Sequence, residues 1–153
     1  MGAKKLKSFE IAVAEISFLI HATEDKDRVI NMISSVLIVD KDEFESENLL
    51  GHWGNQIEMI RGKLKRKFAN DVASTIFASF DTYGRKKMLY SLDDYVDDKG
   101  TLHLRLDKQK ICEGKIVLSD IDSIKIKFKP KLFFSRIKQD YILQYRRLLG
   151  SND

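Results

Sequence analysis

With 153 residues, 43% hydrophobic and 33% charged side chains, the chain has the make-up of one soluble domain with a real core and little room for a second. Lys and Arg outnumber Asp and Glu by 27 to 23, a net charge of +4, so any anion-binding role must rest on where the cations sit. A lone cysteine, Cys112, excludes an internal disulfide, fits a reducing cytoplasm and has no histidine close in sequence to activate it. The apolar stretch 11–22 is broken by Glu15 and falls short of the ~20 residues of a membrane span, so neither a membrane segment nor a secretory signal is expected.

Phe9–Thr23 reads as a long buried strand, with Thr23 capping a helix whose first turn carries Glu24 and Asp25. In that helix Val29, Met32, Ile33, Val36 and Leu37 recur with the spacing of one core-facing stripe. Phe44–Leu50 and Gln56–Leu64 read as two strands of a hairpin joined by the turn-rich Gly51-His52-Trp53-Gly54-Asn55. Ala69, Val72, Ala73, Ile76, Phe77 and Phe80 predict a second helix over about 65–81. Met88, Leu89, Leu92, Tyr95 and Val96 mark a shorter third, ended by Asp97-Asp98-Lys99-Gly100. Leu102, Leu104 and Leu106 alternate with His103, Arg105 and Asp107 in a strand pattern running to Gln109, and further strands are expected at Lys115–Leu118 and Ser123–Lys129. Pro130 stops the last of these. Phe134, Ile137, Tyr141, Tyr145 and Leu148 then define a terminal helix closed by Gly150 at C′. Mixed order without strict alternation predicts an α+β fold in a single domain over 1–153, core about 8–149, with helices largely on one side of a curved, mostly antiparallel sheet.

The cations concentrate in two acid-free runs. Lys125, Lys127 and Lys129 share one face of a strand while Ile124, Ile126 and Phe128 share the other, and Lys131 extends the row. Two-residue steps of about 6.5–7 Å come close to the ~6–7 Å expected between successive phosphates of a nucleic-acid strand. The bland explanation is an edge strand blunted against aggregation. Arg61, Lys63, Lys65, Arg66 and Lys67 form the second run, read here as a helix start, where the macrodipole disfavours cations. Arg105 and Lys108 are expected between or beside the two runs. Gly51-His52-Trp53-Gly54 matches the GXXG loop that clamps nucleotides, although it joins strands rather than helices. Trp53 has two uses in such a turn: stacking on a base, for which His52 and Trp53 are candidates, or packing down on the sheet.

Nothing points to chemistry. His21, His52 and His103 lack ligand spacing, so no metal is assigned, and the acidic runs at 40–47, 93–94 and 97–98 read as solvated faces or turns. There is no nucleophile elbow, phosphate-binding loop or dinucleotide fingerprint, so no catalytic residue and no cofactor are assigned.

Several motifs coincide with one family. His21-Ala22-Thr23-Glu24, the Gly51–Asn55 turn, and Leu104-Arg105-Leu106-Asp107-Lys108-Gln109 with Gly114 resemble a family of small archaeal proteins described as predicted RNA-binding proteins or predicted exosome subunits. The resemblance covers about residues 8–148, with Gln56 standing where the family usually has Pro. It implies a fold like the large-subunit ribosomal protein that holds the five-S RNA, and it brings no agreed active site. The resulting expectation is a non-catalytic, cytoplasmic RNA-binding protein that contacts the backbone through its basic clusters, with a possible link to RNA processing or degradation complexes. The alternatives are a protein-interaction module and, with less to support it, a metal-dependent enzyme using the acidic runs. The oligomeric state is left open.

Overall fold

Alternation of apolar and polar residues puts one face of each long strand under helices and leaves the other open. The computed structural model describes residues 9–50 and 54–150, so Gly51, His52 and Trp53, with their candidate RNA contacts, lie outside the described residues. Strand β1 (Ile11–His21) is central, and the strands β2 (Phe44–Leu50), β3 (Gln56–Lys65), β4 (Leu102–Asp107) and β5 (Ser123–Pro130) complete a five-stranded antiparallel sheet of order β2-β3-β1-β5-β4. Ala14, Ile16, Phe18 and Ile20 of β1, Ile60 and Leu64 of β3, Ile124, Ile126 and Phe128 of β5, and Leu102, Leu104 and Leu106 of β4 are all buried. The α+β architecture is therefore as the pattern predicts.

The helices differ in their ends. Helix α1 (Lys26–Leu37) is capped by Asp25, whose side chain accepts from the Arg28 N–H, rather than by Thr23. Glu24 is drawn elsewhere, as described below. The expected helix at 65–81 is α2 (Lys67–Ser79), because pairing with β1 holds β3 extended through Lys65. The third helix begins earlier than its apolar stripe: Asp81 caps α3 (Thr82–Tyr90), accepting from the Gly84 N–H at 2.7 Å, and Ser91 separates it from the single turn α4 (Leu92–Tyr95).

The strand pattern running to Gln109 stops at Asp107. Its carboxylate accepts from the Lys110 N–H and so caps the short helix α5 (Lys108–Cys112). Residues 115–118 form no strand, only an isolated bridge from Leu118 to Leu106. Phe134 and Ile137 precede α6 (Lys138–Leu148) instead of sitting in it; Phe134 packs its ring against Phe9 and Tyr141. Gly150 takes the expected C′ role with φ +85°. Behind the sheet, Tyr145 is fully buried and donates to the Gly100 carbonyl at 2.6 Å, and burial pushes its hydroxyl pKa well up, so it stays a donor. Gly100 has φ +85°, and a Cβ there would lie 2.4 Å from the Tyr141 ring, so both backbone and space require glycine.

Candidate nucleic-acid interface

Pairing register decides which cations meet. Because β1 lies between β3 and β5, its open-face residues align the two basic runs across the sheet. Ser17 stands opposite Arg61 on one side and Lys125 on the other, and Arg105 of β4 faces Lys125. In the next row Glu15 lies between Lys63 and Lys127, with His103 beyond Lys127; in the row after that Val13 lies between Lys65 and Lys129. Strands ~4.8 Å apart thus put both runs on one continuous open face. Arg61, Lys63, Lys65, Arg105, Lys125, Lys127 and Lys129 are exposed there.

The helix-start description of the β3 run needs correction. Arg61, Lys63 and Lys65 belong to the strand, and only Arg66 and Lys67 stand at the start of α2. Arg66 occupies the cap position with φ 49° and makes no side-chain cap bond. Lys131 lies beyond β5, exposed, its N–H donating to the Glu10 carbonyl at 2.8 Å.

Lys108 is not on this face. Its side chain is fully buried, and its ammonium donates to the Leu19 carbonyl at 2.7 Å, to Glu24 at 2.7 Å and to Asp122 at 3.1 Å. All three N–H donors are satisfied, which excludes it as a phosphate contact. The sequence carried the signal: position 108 shares the parity of Leu102, Leu104 and Leu106, the buried set. The His21 ring reaches the same Asp122 oxygen at 3.3 Å, so His21, Glu24 and Asp122 cluster within reach of one cation. The lysine ammonium already supplies that positive charge.

Acids tune the face. Glu15, at its centre, pairs with Lys129. The hydrogen bond from Lys129 and the nearby charges of Lys129, Lys127 and Lys63 hold its carboxyl below the usual range, against partial burial. Arg61 pairs with Glu47 at 3.5 Å, and Glu45 stands opposite Arg61, so β2 forms an acidic rim. Lys63, Lys65, Arg105, Lys125 and Lys127 make no ion pair with any described residue. Such charges on an exposed face favour a polyanion, and the arrangement holds no nucleophile–base pair.

In the sequence Glu15 is only a break in an apolar stretch and the 40–47 run only a solvated face or turn; their place beside the cations follows from cross-strand neighbours. His103 was discounted as a ligand; it pairs with Asp97 at 2.9 Å at the β4 edge. Burial raises the Asp97 pKa, but the hydrogen bonds from His103 and the Thr101 and Lys99 N–H groups outweigh it and bring the carboxyl below its usual value.

The fold recurs in known proteins. A Pyrococcus abyssi protein described as an RNA-binding protein is 31% identical over 141 residues, covering 86% of this chain and 87% of its own. An uncharacterised Methanocaldococcus jannaschii protein is 27% identical over 135 residues, covering 84% and 90%. A solved Methanothermobacter thermautotrophicus structure superposes with a TM-score of 0.74 at 27% identity, over 92% of this chain and 99% of that one. An Archaeoglobus fulgidus structure gives 0.75 at 26% identity, over 91% and 99%. A more distant Methanococcus jannaschii structure, 14% identical with a TM-score of 0.59, shares the fold alone. The family model described as RNA binding matches residues 13–130, and the chain belongs to that family, whose compared relatives are archaeal.

Proposed function

We propose that the open face of the sheet binds RNA through its phosphates without catalysing a reaction on it. The observation that carries this reading is the cross-strand register, which aligns two basic runs on either side of β1 with five cations that make no ion pair with any described residue. Membership of the RNA-binding family points the same way. Contacts of this kind fix a strand without reading its bases, so sequence discrimination is weak. Attachment to RNA processing or degradation machinery in the cytoplasm is the part of the proposal that rests on the resemblance in sequence.

Titrating a labelled single-stranded RNA across a range of salt concentrations tests the reading. Five phosphate contacts on a single strand give a log–log slope of affinity against salt of about −3.5. Changing Lys125, Lys127 and Lys129 together to Gln is expected to flatten that slope by about 1.4, the share of two contacts since Lys129 is already held by Glu15, and to weaken all sequences alike. Unchanged affinity and slope in the triple variant would show that these lysines only solvate the sheet.

A further inference from the structure

At the end of the basic face the chain displays an aromatic side chain in the setting a nucleobase requires. We infer that Phe133 is a stacking platform for one unpaired base, beside phosphates held by Lys127 and Lys131; this deepens the RNA-binding reading and rests on it. Phe133 is 79% exposed and Leu132 76%, in a protein whose other ring of the pair, Phe134, turns inward onto Phe9 with centroids 5.2 Å apart. Both side chains lie outside the buried core.

The loop is also anchored in a way that holds this display. The Tyr141 hydroxyl donates to the Ser135 carbonyl at 2.6 Å and accepts from the Ser135 N–H at 3.2 Å, and Ser135 further binds Asp140 through its hydroxyl. Phe133 itself has φ 64°, the left-handed region that a bulky side chain rarely adopts. Such a backbone persists when its surroundings fix it, and it is found preferentially at ligand sites.

Its surroundings identify the ligand class. Phe133, Leu132, Lys127, Lys129, Lys131 and His103 line one pocket of about 390 Å³. That lies at the low end of the ~300–1,000 Å³ typical of small-ligand sites, room for one nucleotide. Three lysines along one wall favour an anion, and an aromatic plane next to them favours the base attached to it. An acidic peptide would satisfy the lysines and leave the ring without a matched surface. The occupant is therefore a single-stranded RNA segment with one base splayed out.

The test compares oligouridylate and oligoadenylate of roughly twelve nucleotides with an RNA duplex of the same length. The parent protein is expected to favour the single strands. Phe133→Ala is expected to weaken single-strand binding about tenfold, within the range set by loss of one base stack, and to leave the salt slope and duplex affinity unchanged. Phe133→Tyr keeps the plane and is expected to restore binding, which separates stacking from any effect on folding. Oligonucleotides carrying 5-iodouracil are expected to photocross-link to Phe133. If Phe133→Ala binds single strands like the parent while the lysine variant still loses affinity, stacking is wrong and backbone binding stands. If the parent shows no salt-dependent RNA binding at all, the underlying reading fails with it. If the photocross-link maps away from 131–134, the pocket is not the base site, and the exposed pair is left for a protein partner.

Discussion

Taken out of water, the Lys108 ammonium directs its three N–H groups at Leu19, Glu24 and Asp122 and so ties the end of β1 to the approach of α1 and the turn before β5. Lys108→Met leaves two carboxylates facing each other without a cation. Removing one partner of such a buried cluster costs about 3 kcal/mol or more, which urea unfolding measures, and the RNA salt slope of the surviving folded protein is expected to match the parent. Glu15 acts at the same scale with the opposite sign. Its depressed pKa means the folded state binds its proton less readily than the unfolded chain. The stabilisation it gives is complete above the unfolded value and is lost as pH falls through the folded one. Glu15→Gln is therefore expected to lower stability at neutral pH, with the difference from the parent closing below pH ~4.5. The same change frees Lys129, so RNA affinity is expected to rise and the salt slope to steepen by about 0.7–0.9, one phosphate contact more.

At the scale of elements, α2 begins badly. It has no side-chain cap bond and no acid in its first turn, and Lys67 stands where the positive end of the helix dipole opposes it. Lys67→Glu is expected to raise stability by about 0.3–1 kcal/mol in thermal or urea unfolding, and to lower RNA affinity if Lys67 lies within reach of the bound strand. The long strands and their buried faces were legible because a period of two in Val, Ile, Leu and Phe leaves few alternatives. Helix starts were less so. Asp25, Asp81 and Asp107 each accept a backbone N–H three residues on, whereas the apolar stripe that announces a helix begins later than its cap. The segment 115–118 looks like a strand locally, but β4 lies at the sheet edge and receives only a single bridge from it.

For the whole molecule, the division of labour is between the two faces of one sheet: a helix-covered face that carries the core and an open face that carries charge. Each basic run was visible in the sequence, but their meeting was not, since it depends on β1 inserting between β3 and β5 with a register no local pattern encodes. Lys108 was misplaced for a related reason: a cation in a basic neighbourhood was read by composition when its parity pointed inward. The row from Lys125 to Lys131 has a further consequence in length. Its three two-residue steps measure about 20 Å, which accommodates only about four nucleotides of extended strand. Affinity is therefore expected to climb with oligonucleotide length and level off near five or six nucleotides, as a series of graded oligomers would read directly. On a long transcript so short a footprint leaves many overlapping registers for each copy. Under the proposed backbone binding, occupancy is then expected to depend on how densely copies crowd along the strand, so that coverage follows the protein's concentration.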